Sequence, residues 1–526
     1  MVHPAAMDVA RPAGRWDWWT IPFEWAQSLG PVPGVVYRAN RTVEVHRTHL
    51  PLLAARGYPL PALTAGIPPA PPKALTLRPW QARARTWVAD RRGALIVAEP
   101  RLGKTPLALS LHEPGGLLMI LAPLDVREVW LAWIDRMFPG ARAETLVLEG
   151  TVPDIERLRR ARFVFAHYDI LMHQQVTSVR PRTLVIDEAH LLANPTSQRT
   201  KAVRFFAGLA DRVITLTGTP LWNKTRGLGP LLAITNPGAW GSHHEFSQRY
   251  ASPEMGEYGW IYGELSNREE FMQRRAEVVF EARWSVEAPE LPATNYVVVD
   301  VPVGTDDLAS LDETAAEMRD DGAGTDDNTI GALTRYRQAT GIIKVDAVVA
   351  RALVHQGPLV IWGWHKQRVI KKIADQLKKQ GRAVFMLHGD LSVQKRTEAL
   401  DSWRASPDGI LCATLAVGQV GIDLSYATTA YMVEIDWTPA VNYQTTMRTF
   451  TPDRPMTIVF FRVDHPIERM LVDSVRTKMQ RADVSAMPAA GSAFQIDAPQ
   501  DVDDSAVLDE LRAVLAAKPT DFTSWG

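Results

Sequence analysis

The sequence predicts an α/β protein: two doubly wound parallel-sheet lobes in tandem, with helical insertions and a small N-terminal α+β module. Three observations carry that reading. Short apolar runs at Ala94–Ala98, Leu117–Ala122, Phe163–Ala166, Thr183–Ile186 and Val213–Leu216 are bounded by polar residues, Gly or Pro, and helical periodicity lies between several of them. A second such series follows, at Leu359–Trp362, Ala383–Leu387, Ile410–Ala413, Ala430–Ile435 and Thr457–Phe461. The 526 residues exceed what one core organises, and a composition 46% hydrophobic and 22% charged excludes wholesale disorder.

In chain order, residues 1–74 read as the small module and its Pro-rich linker. Val35–Tyr37 and Thr42–Val45 flank the turn residues Ala39-Asn40-Arg41 as a hairpin, and Pro68–Pro72 can continue neither helix nor strand. Trp16, Trp18 and Trp19 fit the packing of this module better than base stacking. Residues 75–300 form the first lobe, with a mostly helical insertion over about 225–290. Within the lobe, Asp125–Met137 has the period of a helix facing Val126, Val129, Trp130, Trp133, Ile134 and Met137 inward, and Asp125 and Glu128 stand at capping-box spacing. His243-His244 has no partner at metal-ligand spacing and reads as loop. Residues 301–343 read as an acidic and helical linker region whose 304–328 stretch is solvated and mobile. Residues 344–480 form the second lobe, and 481–526 an acidic tail with one short helix at Val507–Ala516.

Lys+Arg is 58 and Asp+Glu 59, so nucleic acid can be attracted only through local patches, not bulk charge. The single cysteine, Cys412, excludes a disulfide framework and suits a reducing compartment. No apolar window reaches the ~18 residues of a membrane span, so a soluble intracellular chain is expected, in cytoplasm, nucleoid or nucleus.

Three segments carry chemistry. Ala98-Glu99-Pro100-Arg101-Leu102-Gly103-Lys104-Thr105 joins an expected strand to a helical segment. In that context loop N–H groups face an anion, lysine neutralises the β/γ-phosphates and the threonine hydroxyl ligates Mg²⁺. Thr183-Leu184-Val185-Ile186-Asp187-Glu188-Ala189-His190 delivers two carboxylates to the carboxyl end of a strand, where ligands of α/β sheets sit; Asp187 is placed to hold Mg²⁺ and Glu188 to polarise water. Leu216-Thr217-Gly218-Thr219-Pro220 ends a further strand.

In this order the three segments resemble a superfamily-two helicase-type motor, and finer details resemble its Swi/Snf branch of DNA translocases. Leu77-Arg78-Pro79-Trp80-Gln81 resembles the stretch whose glutamine reads adenine. Ala122-Pro123 with Trp130, His167-Tyr168, Asn194–Gln198, Pro220–Asn223, Asn236-Pro237-Gly238 and Phe271–Arg275 continue the match. So do Leu387–Asp390, Gly418–Leu424, and Asp436–Ala440 followed by Gln444 and Arg448. The resemblance covers roughly residues 75–480; residues 16–60 resemble, more distantly, the HARP accessory module of annealing helicases.

The resemblance implies two RecA-like lobes, ATP and Mg²⁺ as cofactors, and duplex or branched DNA as partner. It further implies catalytic roles for Lys104, Asp187, Glu188, Gln444 and Arg448. Nucleotide contacts would fall to Arg78, Gln81, Leu102, Gly103, Lys104, Thr105, Gly421 and Asp423, and metal ligation to Thr105 and Asp187. No membrane partner is expected; the N-terminal module and the C-terminal tail are candidate surfaces for protein partners. Three positions depart from the family pattern: Thr451 replaces the second motor arginine, Arg101 the central loop glycine, and Trp222 a glutamine. An RNA- or DNA-unwinding helicase and a weakly hydrolysing, ATP-regulated DNA-binding protein are the alternatives. Lys366, Arg368, Lys371, Lys372, Lys378, Lys379 and Arg382, set against Asp375 alone, make a basic helical face suited to phosphates, or a solvated surface helix.

Overall fold

The computed structural model describes residues 11–12, 17–38, 42–60, 76–150, 154–171, 180–218, 225–256, 259–263, 265–288, 294–320, 326–418, 422–436 and 439–484. The Ala39–Arg41 turn, the Pro68–Pro72 linker, Thr219–Asn223, Gly421 and the Val507–Ala516 helix lie outside them. Two compact units divide the chain, Met1–Arg283 and Trp284–Gly526. Among the described residues no helix is long and apolar enough to cross a membrane.

The first unit opens with β1 (Arg11–Pro12), β2 (Trp18–Ile21), α1 (Phe23–Leu29), β3 (Val35–Tyr37), β4 (Val43–His46) and α2 (Leu50–Ala55). The strands form an antiparallel sheet in the order β1-β2-β4-β3 over a core that includes Ile21, Trp25, Val43, Val45 and Leu53. The expected hairpin strands are present; β2 and both helices were not foreseen.

The module is sewn onto the following lobe by buried polar contacts. Arg47 donates to Asp17 Oδ1 at 2.9 Å, to Asp90 Oδ2 at 3.1 Å and to the Asp90 carbonyl at 2.9 Å, while Asp17 Oδ2 accepts from Arg92 N at 2.8 Å. Arg274, fully buried, donates to Tyr250 Oη (2.7 Å) and to the carbonyls of Pro33 (3.0 Å) and Ala239 (2.5 Å).

The lobe itself runs α3 (Pro79–Val88), β5 (Gly93–Ala98), α4 (Lys104–Leu109), β6 (Leu118–Ala122), α5 (Arg127–Met137), β7 (Thr145–Val147), α6 (Ile155–Arg160), β8 (Phe163–His167), β9 (Thr183–Ile186), α7 (Gln198–Leu209) and β10 (Arg212–Thr217). Then follow α8 (Thr225–Thr235), α9 (His243–Tyr250), the antiparallel pair β11 (Pro253–Gly256) and β12 (Gly259–Tyr262), α10 (Arg268–Ala276) and β13 (Val279–Ala282). Seven strands pair in parallel in the order β13-β5-β10-β9-β6-β8-β7. Strands β5, β6 and β10 have every side chain buried, as a sheet covered on both faces requires.

The structure corrects several expectations. Besides its helices, the 225–290 insertion holds strands that were not expected, and one of them, β13, returns to the main sheet beside β5. Helix α5 starts at Arg127 with Val126 at its N-cap, one residue beyond the start expected from Asp125. Val129 faces outward at 38% exposure while Leu131 is buried. His243 opens α9 instead of a loop, because Ser242 and Glu245 form a reciprocal capping box.

The second unit comprises α11 (Trp284–Glu287), β14 (Asn295–Val301), α12 (Thr305–Asp320), α13 (Asp326–Leu353), β15 (Leu359–Gly363), α14 (Lys371–Lys379), β16 (Val384–Leu387), α15 (Val393–Arg404), β17 (Ile410–Thr414), α16 (Leu415–Gly418), β18 (Thr429–Met432), α17 (Pro439–Thr446), β19 (Thr457–Val463) and α18 (Pro466–Val484). Six strands pair in parallel in the order β14-β19-β18-β15-β17-β16. Strand β14 pairs with β19 in this sheet, so the lobe boundary expected at residue 300 falls inside a strand of the second unit. The acidic 304–328 stretch is largely helical: α12 carries Asp306 and Asp307 in its first turn, where carboxylates oppose the helix dipole.

Candidate functional site

In the first unit the motif segments meet at the carboxyl ends of three neighbouring strands, β5, β10 and β9. The loop after β5 is held from behind by the Leu77–Gln81 segment. Gln81 Nε2 donates to the Gly103 carbonyl at 2.8 Å, while Trp80 Nε1 and Arg78 Nη1 donate to the Leu102 carbonyl at 3.2 and 3.3 Å. Gln81 Oε1 in turn accepts from Arg78 N at 2.7 Å, so both ends of the amide are fixed. Gly103 has φ +99°, the left-handed backbone that favours glycine, and a Cβ there would lie 2.7 Å from Gln81 Nε2, so the amide that grips its carbonyl would have to shift. Arg101 takes φ +65°, the left-handed conformation that glycine adopts without strain.

Lys104 and Thr105 open α4. Lys104 Nζ donates to the Ala98 carbonyl at 2.8 Å, across the loop. A Cβ on Gly218 would stand 3.2 Å from the same Nζ, so the Thr-Gly segment after β10 and the Gly-Lys-Thr loop face each other.

The carboxylate pair after β9 is tightly determined. Asp187 is buried; its Oδ2 accepts from Trp130 Nε1 at 3.0 Å, its Oδ1 from Glu188 N at 2.9 Å, and its carbonyl from Tyr168 Oη. Burial and the neighbouring Glu188 charge push its carboxyl up to about 6, against the pull of Lys104 and the Trp130 hydrogen bond. Glu188 adopts φ +49°, ψ +48°; its Oε2 is buried without a hydrogen bond and lies 3.4 Å from His190 Nδ1. His190 Nδ1 is also 3.5 Å from Thr217 Oγ1, which links the Asp-Glu-Ala-His segment to the end of β10. A buried carboxyl that resists ionising beside a second, unsatisfied carboxylate oxygen suits a divalent cation. Among the described residues no group of three or more His, Cys, Asp and Glu side chains forms a self-sufficient metal site.

In the second unit, Gln444 is buried in α17 and Arg448 stands one turn further on, just past its end. Arg448 Nε donates to the Gly418 carbonyl at 3.0 Å and its carbonyl accepts from Leu424 N at 3.0 Å, which ties α17 to the 418–424 loop. Asp423 is engaged locally: its Oδ1 accepts from Ser425 N and Oγ at 2.9 and 2.7 Å. Asn442 latches the turn before α17 by exchanging two hydrogen bonds with the Asp436 backbone, at 2.8 and 2.7 Å.

Two arrangements escaped the sequence reading. Trp130 and Tyr168 were matched to family segments, but their shared role as donors to Asp187 depends on sheet order. Glu434, buried after β18, accepts from Trp364 N (2.7 Å), His365 N (2.9 Å) and His365 Nδ1 (2.5 Å). An isolated glutamate in the apolar run Ala430–Ile435 was the available signal, since a buried carboxylate must find donors.

Residues 79–283 match the family model of the SNF2-related domain, and residues 344–451 that of the helicase conserved C-terminal domain. The chain is 26% identical over 383 residues to the SWI/SNF-related matrix-associated actin-dependent regulator of chromatin subfamily A-like protein 1 of Xenopus tropicalis, covering 70% of this chain and 40% of the relative. It is 23% identical over 386 residues to the DNA annealing helicase and endonuclease ZRANB3 of Mus musculus, covering 69% of this chain and 36% of the relative. The chain therefore spans less than half the length of these two relatives. The Sulfolobus solfataricus SWI2/SNF2 ATPase core in complex with dsDNA shares 19% identity at a TM-score of 0.39, covering 79% of this chain and 93% of that one. With an SNF2-related domain followed by a helicase conserved C-terminal domain, the chain belongs to the Swi/Snf family of helicase-like ATPases.

Proposed function

We propose that the chain is an ATP-dependent translocase on double-stranded DNA that remodels duplexes, forks or protein–DNA complexes. The observation that carries this reading is the meeting of Lys104, Gly218 and the Asp187–Glu188 pair at the carboxyl ends of β5, β10 and β9. A second parallel-sheet unit bearing Gln444 and Arg448 supports it. The names of the relatives, a DNA annealing helicase and a chromatin regulator, point to the same substrate.

In this assignment Arg78, Gln81, Leu102 and Gly103 shape the nucleotide loop, and Gly421 and Asp423 contribute from the second unit. Lys104 leaves the Ala98 carbonyl for the β/γ-phosphates of ATP. Thr105 and Asp187 would hold Mg²⁺, which supplies charge neutralisation at those phosphates. Glu188 orients and polarises the attacking water through its unsatisfied Oε2, and Gln444 and Arg448 act on the γ-phosphate.

Lys104→Ala should weaken ATP binding, whereas Glu188→Gln should keep binding and lower DNA-stimulated hydrolysis by about 10²-fold or more, since only water activation is removed. Fluorescent-nucleotide titration together with steady-state hydrolysis separates the two. Wild-type turnover in Glu188→Gln would overturn the roles, and an ATPase indifferent to duplex DNA would overturn the translocase reading.

A further inference from the structure

We propose that an outer groove of the second unit, between α13 and α14, is a second contact for the DNA phosphodiester backbone. It is separate from the loops at the carboxyl ends of the strands, and it rests on the translocase reading for its choice of nucleic acid. Helix α14 descends from the carboxyl end of β15 to the amino end of β16, preceded by a π-helical turn over Lys366–Ile370. Its inner face, Ile370, Ile373, Ala374 and Leu377, is buried in the core of the unit. Arg368, Lys371, Lys372 and Lys379 line an open groove of about 650 Å³ together with Gln367, Gln376 and one carboxylate, Asp375, which Lys371 pairs; Ile342 of α13 is its one apolar side chain.

The seven cations of this stretch divide by what they touch. Lys366 bonds Asp390, and Lys371 pairs with Asp375 at 2.5 Å. Arg382 is used internally, donating to the carbonyls of Ala352, Leu353 and His355 at 3.1, 2.9 and 3.1 Å. Arg368, Lys372, Lys378 and Lys379 are exposed and make no ion pair among the described residues. Arg368, Lys372 and Lys379 share one helical face, the first two about 6 Å apart along the axis and the last about 10 Å beyond. The basic stripe thus flanks the height of the sheet instead of pointing at the nucleotide loops.

The composition of the groove selects its occupant. A docking protein segment draws affinity from apolar or aromatic anchors in desolvated pockets, and Ile342 alone cannot supply one. A polyanion needs only spaced cations, which Arg368, Lys372 and Lys379 provide with Gln367 as an amide donor beside them, while Gln376 Nε2 donates to Asp346 at 3.1 Å. In a chain of formal charge −1 such a stripe is a local attractor and not a share of a general positive field.

The test is the triple variant Arg368→Gln/Lys372→Gln/Lys379→Gln and its charge-reversed form, Arg368→Glu/Lys372→Glu/Lys379→Glu, in the full chain. Duplex-DNA affinity is measured by anisotropy from 50 to 200 mM salt, with the lysine pair changed to arginine as the conservative control. Three lost phosphate contacts lower the log–log salt slope by about 2.7, so the neutral variant loses about 40-fold less affinity than wild type across that range. Basal ATPase without DNA and the melting temperature should stay put, and the arginine control should bind like wild type. An unchanged slope and affinity in the charge-reversed variant would overturn the proposal. So would a polyglutamate peptide that binds wild type and not the variant while DNA affinity is unaltered, because the groove would then serve an acidic protein segment. Wild-type ATPase that ignores DNA would overturn the translocase reading alone, since the salt slope still tests the groove.

Discussion

Arg454 is the nearest arginine to replace the one missing at Thr451, and its side chain is already committed. Its Nη2 donates to the Ser425 carbonyl at 2.7 Å, and Thr451 Oγ1 turns to Asp453. Under the proposed roles Arg448 would act on the γ-phosphate without a second arginine, so the transition state would lack one of its two positive charges. Arg448→Ala should lower DNA-stimulated kcat by about 10³-fold, Arg454→Ala by no more than about threefold, and Thr451→Arg should raise it. Single-turnover rates of the three variants check this; a large loss in Arg454→Ala would show that it swings away from Ser425 during the cycle. The residue types at the site were legible in the sequence because chemistry dictates them: Lys104, Asp187 and Glu188 stand where a strand ends. Their conformations were not. That Glu188 and Arg101 sit at positive φ, and that Gln81 grips the Gly103 carbonyl across 22 residues, are products of tertiary closure.

At the level of elements, the long buried strands announced themselves by apolar runs between polar stops. In the two parallel sheets the strands that escaped, β7, β13 and β14, lie on the edges. Val279–Ala282 buries only its two end residues, and most of Asn295–Val301 is half-exposed, so neither presents the continuous apolar run of a central strand. Helix α12 was hidden by its acidic composition, which suits a first turn as well as a coil. One element junction has a pH signature. His112, after α4, packs its ring against Phe138 and Phe163 at 5.5 and 5.0 Å; burial and the adjacent Arg162 lower its pKa to about 4. The unfolded chain binds a proton at this imidazole from about pH 6.5 downward while the folded chain does not, so stability is lost as pH falls from 6.5 toward 4. In a comparison of melting temperatures from pH 7.5 to 4.5, His112→Phe should show a shallower acid decline than wild type. Parallel curves would show that the ring is protonated in place.

Across the whole molecule, two units each enclose a parallel sheet of their own, so unfolding need not be a single transition. The N-terminal module has no such independence: Arg47, Asp17 and Arg274 join its core to the 90–92 turn and to the 239–250 region. Arg47→Ala would leave Asp17, whose side chain is 2% exposed, as a buried charge stripped of its cation, at a cost of about 3 kcal/mol. Calorimetry should find the melting of the first unit lowered by several degrees with that of the second unchanged, and adding Asp17→Asn, which tolerates the φ of +62° and removes the stranded charge, should recover part of the loss. Equal shifts in both transitions would mean that the units melt together.

The solitary thiol also has a practical side. Cys412 lies in β17 with no exposed surface, and burial pushes its pKa up to about 12. At neutral pH it is neither an accessible nor an ionised nucleophile, so maleimide dyes and nitroxide reagents pass it by. The native chain is thus a ready background for spectroscopy: one cysteine placed on the surface of each unit gives two unique labelling positions. Energy transfer or dipolar coupling between them would report the separation of the units through each round of ATP turnover, without first removing a native residue.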